Sequence, residues 1–219
     1  MGAEQLEVLA AILREDPRAP IAGSTRERAV EVHIADSLSG LEFEQLASAR
    51  RIADLGAGAG LPGLVLAASL PDTRVDLIES VARRCEFIVS AAERLGLGNV
   101  VVVHQRAEAW ATPGGRREAY DAVTARAVGR LATLAELASP LLREGGHLVA
   151  WKGRRNAEEE AELARASERL AMEPAEVRAV TPYRGSRGRH IHLLRKNGPT
   201  PTELPRRNGL AAKRPFGSE

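Results

Sequence analysis

The stretch Asp54-Leu55-Gly56-Ala57-Gly58-Ala59-Gly60-Leu61-Pro62-Gly63 decides how this chain folds. It follows a short apolar segment, 51–55, and leads into a stretch of helical composition at 61–70. Glycine tolerates positive φ and lets backbone approach a ligand with no Cβ in the way. Between a strand and a helix start, such a loop presents free N–H groups. Two common phosphate loops are excluded. The G-x-G-x-x-G fingerprint needs glycine where Leu61 stands, which disfavours a nicotinamide-dependent dehydrogenase, and no G-K-[ST] closes a Walker loop.

Outward from the loop, apolar segments at 75–78, 100–103, 121–124 and 147–151 alternate with helical stretches near 81–95, 130–142 and 156–171. Within 81–95, Val81, Cys85, Ile88, Ala92 and Leu95 form one apolar stripe, which makes Cys85 a buried small hydrophobe. Strands alternating with helices predict an α/β fold, a mostly parallel, doubly wound sheet covered on both faces. Segments 177–181 and 189–195 are candidates for two final antiparallel strands. Before residue 50 a helix is expected over 3–15. A second opens at a Ser24–Glu27 capping box and contains His33, Asp36 and Leu38.

Composition narrows the class. Of 219 residues, one is Cys, so neither an internal disulfide nor a cysteine-based zinc site is available, and no metal site is expected. No apolar run reaches the length of a membrane span, and acids stand where a signal peptide is basic. A soluble cytoplasmic monomer is expected. The formal charge of +2 conceals an asymmetry. From Arg178 onward ten basic residues face two acids, whereas the first 177 residues carry 21 against 27. A basic end on an acidic body suits a polyanion partner, or a merely solvated tail.

Asp54 with glycines at 56, 58 and 60 resembles motif I of the class I S-adenosylmethionine (SAM) methyltransferases. Glu79, at the end of 75–78, is placed to accept hydrogen bonds from two ribose hydroxyls. Glu108 follows the third strand, where an acid beside a backbone N–H suits an adenine ring. All three loops are expected at the switch point of the sheet.

Further stretches narrow the resemblance: LGAGAGLPG, LIESVARRCEFI, QRAEAW, TARAV at 124–128, AWKG at 150–153, HIADSL at 33–38 and the closing PTELPRRNGLAAKRP. Together they resemble the ribosomal RNA small subunit methyltransferase G family, also called glucose-inhibited division protein B. The resemblance implies a Rossmann-like enzyme that uses SAM, releases S-adenosylhomocysteine, and methylates N7 of one guanine in bacterial 16S rRNA. The partner is then that rRNA, within the 30S subunit or its precursor. It divides the chain into a helical lead (1–48), a SAM-binding methyltransferase domain (49–196) and a basic tail (197–219). Gly56 and Leu61 fall on its motif I positions, Ala107 and Glu108 on its adenine-side pair, and Arg126 on its site arginine. Residues 19–25 depart from the family's Asn-Leu-Thr stretch.

The chemistry fits these residues. Guanine N7 is a free lone pair with no proton to lose, so positioning rather than a general base is expected, and no side chain is assigned acid–base catalysis. Where amino-methylating enzymes carry Asn-Pro-Pro-Tyr, this chain has Thr124-Ala125-Arg126-Ala127. Arg126 is read as binding the SAM carboxylate or an RNA phosphate, with a structural salt bridge as the alternative. Lys152 is read as a phosphate contact or a rim residue. The expected RNA footprint is Lys152, Arg184, Arg187, Arg189, Arg206, Arg207, Lys213 and Arg214, with Tyr183 and Phe216 as the only nearby stacking platforms. His33 and Asp36 share a helix face and are expected to lock that helix against the site. The competing possibilities are a SAM-dependent methyltransferase acting on a protein or small molecule, and a SAM- or RNA-binding module without turnover.

Overall fold

The computed structural model describes residues 3–21 and 26–218. Seven strands form one sheet: β1 (Arg51–Leu55), β2 (Arg74–Glu79), β3 (Val100–His104), β4 (Tyr120–Arg126), β5 (Leu142–Lys152), β6 (Met172–Val180) and β7 (Arg189–Lys196). Their order is β3-β2-β1-β4-β5-β7-β6. The first five run parallel; β7 is antiparallel to both β5 and β6. The order reverses between β1 and β4, and the glycine loop leaves the carboxyl end of β1 there.

Side-chain alternation divides the core between the two faces. Ile52, Val75, Leu77, Val149, Trp151 and Ile191 belong to one cluster; Ala53, Leu55, Ile78, Val123, Leu148 and Leu194 belong to the other. The first face is covered by α1 (Ala3–Glu15), α2 (Arg26–Leu38), the single turn α3 (Glu44–Ala47), α4 (Gly63–Ser69) and α5 (Ala82–Arg94). Leu9, Leu13, Val30 and Ile34 of the helical lead enter that same cluster. The second face carries the short α6 (Ala107–Trp110), α7 (Leu131–Ala138) and α8 (Ala157–Leu170). The capping box expected before α2 rests on Ser24 and the Glu27 side chain, which lie outside what is described.

Three boundaries differ from expectation by four or five residues. Helix α7 stops at Ala138 because Pro140 cannot continue it and restricts the residue before it. Strand β5 begins at Leu142, five residues early, across a glycine pair that resembles a turn; a register shift at Tyr120/Ala122 absorbs the irregularity. Strand β6 begins at Met172 although it contains Pro174, which an edge strand admits where the register slips.

The largest correction concerns the end of the chain, expected as a basic tail that is solvated or bound to a polyanion. Lys196 is fully buried, its Nζ donating to Glu118 Oε1 (2.9 Å) and to the Leu142 carbonyl (2.7 Å). Glu118 also accepts from the Thr200 hydroxyl (2.6 Å) and backbone N–H, and the Thr200 hydroxyl foremost, with Lys196 and that N–H, holds its carboxyl down at about 2. Beyond it Leu204, Ala211 and Phe216 are buried, and one helical turn forms, α9 (Leu210–Lys213). The apolar residues of this segment outweigh its Pro-, Gly- and Arg-rich composition once the sheet offers a surface.

Candidate active site

Two clefts open at the carboxyl edge of the parallel strands and share Gly56, Arg84 and Ala127. The glycine loop separates them. Gly56, Gly58 and Gly60 have φ of 64°, 57° and 77°, the left-handed region that favours glycine. Asp54 holds this loop from beneath. It is 1% exposed, Oδ2 accepting the Gly63 N–H (3.0 Å) and Oδ1 the Thr124 hydroxyl (2.8 Å). Asp54 and Gly60 were expected to bind ligand, yet neither lines a cleft. Both shape the loop, Gly60 by packing under Leu64.

Burial raises the Asp54 carboxyl to about 6, against the Thr124 and Gly63 hydrogen bonds that lower it. The folded state therefore retains a proton that the unfolded chain releases from about pH 4 upward, and this group's contribution to stability falls as pH rises toward 6. The stability of the wild type relative to Asp54→Asn, which does not titrate, is expected to drop by about 2 kcal/mol between about pH 4.5 and 7. Urea denaturation of both proteins at the two pH values checks this; a pH-independent difference contradicts it.

The smaller cleft, about 270 Å³, is lined by Glu79, Ala107, Glu108, Thr133, Gly209 and Ala211 among others. Glu79 Oε2 accepts the Gly58 N–H (3.0 Å) and Oε1 the Val81 N–H (2.9 Å), while Arg84 lies 3.5 Å from Oε2. Each oxygen retains a lone pair, so the carboxylate has capacity for two ligand hydroxyls. Glu108 Oε1 accepts the Gly209 N–H at 2.7 Å. The tail thus lines this cleft, which its composition did not suggest.

The larger cleft, about 440 Å³, takes in Gly58, Leu61, Asp36, Arg126, Trp151 and Arg189. Arg126 Nη1 donates to the His33 carbonyl (3.1 Å) and lies 3.5 Å from Asp36 Oδ2. Burial lowers the guanidinium pKa, and the Asp36 and Asp54 charges oppose that shift. Arg189 approaches the same Asp36 oxygen at 3.9 Å and also donates to the Tyr183 hydroxyl. Trp151 Nε1 donates to the Asp36 carbonyl (2.7 Å). Arg126 and Trp151 therefore bind the end of α2 through the His33 and Asp36 carbonyls, which also accept the Ser37 and Ser39 hydroxyls. Lys152 lines the cleft with its ammonium already paired, to Glu159 Oε1 (2.6 Å) and the Gly129 carbonyl (2.8 Å).

The antiparallel register explains why basic residues far apart in sequence gather here. Lys152 pairs with His190, so the start of β7 and the loop before it lie at the same edge as the glycine loop. Arg184 and Arg187 are exposed in that loop, and Arg207, Lys213 and Arg214 are exposed on the tail. Arg206 departs from the expected footprint. Its guanidinium binds the buried Glu136 (Nε to Oε1, 2.6 Å) and stacks on Phe216. Phe216, expected to stack a base, is itself enclosed by Arg169 and Arg206. His192 is buried in β7, and its pKa falls for that reason; His190 Nδ1 faces the Gly153 carbonyl. Among residues that sequence reasoning left unassigned, Arg84 lines both clefts, and Trp151 reaches the larger one through its place on β5.

A family model described as rRNA small subunit methyltransferase G matches residues 18–191. The chain belongs to the rRNA small subunit methyltransferase G family. The relative from Rubrobacter xylanophilus, named ribosomal RNA small subunit methyltransferase G, is 42% identical over 216 residues, covering 96% of this chain and 82% of its own. The like-named protein of Desulfitobacterium hafniense is 38% identical over 190 residues, 87% and 78% of the two chains. Among solved structures, the Methanococcus jannaschii fibrillarin pre-rRNA processing protein matches at TM-score 0.57 and 17% identity, covering 75% of this chain and 74% of its own. M. jannaschii TYW2 in complex with AdoMet matches at 0.53 and 12%, covering 74% and 76%. These structural likenesses establish the fold, a Rossmann-like α/β arrangement, which the methyltransferase G family shares with class I methyltransferases.

Proposed function

We propose that this protein transfers the methyl group of SAM to N7 of a guanine in the 16S rRNA of the small ribosomal subunit. The observation that carries the proposal is the pair of joined clefts. One is lined by the carboxylates Glu79 and Glu108, and the other is bordered by the largely covered Arg126 and a basic rim. Family membership and the names of the relatives support the rRNA substrate.

The residues present suit SAM. The N–H groups of Gly56, Gly58 and Leu61, expected to be free, are already donated to Ile78, Glu79 and Ala57, so these residues would offer backbone carbonyls to the amino-acid end; Glu79 would face the ribose, and Ala107 and Glu108 the adenine ring. SAM when bound supplies an electrophilic methyl that a ring nitrogen lone pair accepts without prior deprotonation. The chain's own contribution is positional. Arg126, fixed by His33 and Asp36, presents a held positive charge to a carboxylate or a phosphate rather than to the base, whose developing positive charge it would repel. Arg184, Arg187, Arg189, Arg207, Lys213 and Arg214 form the proposed phosphate-contacting rim, with Lys152 inside it. A rim of this kind predicts RNA affinity that falls steeply with salt, by about tenfold or more between 50 and 200 mM. Filter binding across that range checks it, and a flat salt response contradicts it.

The deciding experiment maps N7-methylguanine by chemical cleavage in 16S rRNA from cells with and without this protein, alongside label transfer from SAM to 30S particles and to naked rRNA in vitro. Loss of one cleavage site in the deleted strain supports the proposal; an unchanged pattern overturns it. Transfer of label to protein or small molecules but not to rRNA would favour a methyltransferase of another substrate class. Binding with no transfer would favour a module without turnover.

A further inference from the structure

The segment after β7 is pinned at both ends and pressed against the smaller cleft in between. At its start, Arg117 donates to the Leu204 carbonyl (2.8 Å), and Leu204 is buried. Arg206 grips Glu136 and donates to the Arg214 carbonyl (2.8 Å), closing the intervening residues into a loop. At its end, Phe216 lies between the guanidinium groups of Arg169 and Arg206, with ring centroids 4.1 and 3.9 Å from the two carbons. Arg165 holds the Gly217 carbonyl at 2.9 Å. A Cβ on Gly217 would stand 2.2 Å from the Glu162 carbonyl oxygen, so the chain runs against α8 with no room to spare.

Between these anchors the backbone reaches the site. Gly209, at φ 76°, donates its N–H to Glu108 Oε1, and the Ala211 carbonyl accepts from the buried Thr133 hydroxyl at 3.1 Å. Gly209, Ala211 and Ala212 line the same cleft as Glu79. Glu108 has a defined chemistry as a result. The strap occupies one carboxylate oxygen, and no hydrogen bond to the other occurs among the described residues. An acceptor oxygen held in place favours a ligand with an amino group over one with a carbonyl there, because the carbonyl would leave two acceptors facing each other.

We infer that Arg206–Phe216 is a wall of the cofactor site, and that Gly209, acting through Glu108, sets the selectivity of that site for an amino-purine. The inference rests on the SAM reading above and adds to it. The basic tail is assigned to the cofactor as well as to the RNA, with Arg206 as its anchor and Gly209 as a positioning residue. Neither touches the reacting atoms.

The test is calorimetric titration of the full chain with S-adenosylhomocysteine and with its inosine analogue. Two variants are used. Arg206→Met combined with Glu136→Gln loosens the strap without leaving a buried carboxylate unpaired. Gly209→Val places a β-branched residue at positive φ, where a Cβ meets open space but the backbone must turn. The wild type is expected to prefer the adenosyl compound. Both variants are expected to lose about tenfold or more of that affinity, while affinity for the inosyl compound stays within about threefold. Adenosyl affinity unchanged in a folded Gly209→Val protein overturns the inference, as does an equal loss for both compounds. If the double variant fails to fold, Gly209→Val alone decides. A wild type that binds neither compound overturns the SAM reading itself, a result distinct from the others.

Discussion

Replacing Arg206 by alanine is expected to lower stability by about 3–5 kcal/mol, the cost of leaving a buried carboxylate without its partner. Glu136 is 3% exposed, and both its oxygens are engaged by the Arg206 fork. The arginine side chain is itself mostly covered, at 17%, so solvent does little to weaken the pair. Alanine also removes one of the two cations stacked on Phe216 and a donor to the Arg214 carbonyl. For a chain of this length the loss corresponds to a fall in Tm of about 10 °C or more. The double change Arg206→Met with Glu136→Gln is expected to cost no more than about 1 kcal/mol, because it removes the charges together. Urea denaturation of the two variants separates the cases. An alanine variant as stable as the wild type would return Arg206 to the solvent-exposed RNA footprint that composition suggested.

The second large effect is expected at Gly60. A Cβ there would lie 2.4 Å from Leu64 Cδ1 and 2.8 Å from its Cγ, at a φ of 77°. Gly60→Val therefore combines overpacking, about 1–3 kcal/mol, with a left-handed backbone costing a further 1–2 kcal/mol or so. Leu64 sits in the first turn of α4 and is fully buried, so the strain is relieved by moving the loop. Binding of S-adenosylhomocysteine is expected to weaken by about 100-fold or more, equivalent to ~2.8 kcal/mol. Gly58→Ala is the informative contrast. Its Cβ would meet nothing closer than the Gly56 carbonyl at 3.6 Å, so the structural cost is the backbone preference alone, about 1–2 kcal/mol. If Gly60→Val binds the ligand as tightly as Gly58→Ala, the packing account of the loop is wrong.

What the sequence revealed and what it hid follow from the range of the interactions involved. β1 is bounded at Arg51 and Leu55 as expected, and the helix of the Cys85 stripe lies within a residue of its expected limits, because local periodicity determines both. The glycine loop, Glu79 and Glu108 were legible because each sits at the end of a recognisable strand. Asp54 was legible as a motif residue but not as a support, since its partners are Gly63 and Thr124, the latter 70 residues away. Nothing in the order of residues 172–196 announces that β7 inserts between β5 and β6, the pairing that carries Arg189 to the larger cleft and the loop bearing Arg184 and Arg187 to the same sheet edge. The tail misled for the same reason. Arg206 reads as solvated charge until α7 brings Glu136 beside it.

The wall formed by Gly209, Ala211 and Ala212 bears on the order in which a working site is assembled. The last strand of the sheet ends at Lys196, and these residues follow it in the chain without adding a strand. A chain with its sheet closed and its tail not yet docked holds Glu108 with both carboxylate oxygens unengaged and the smaller cleft open on one flank. Ligand capture in full strength thus belongs to the last step of assembly, when residues 209–212 dock beside Glu108.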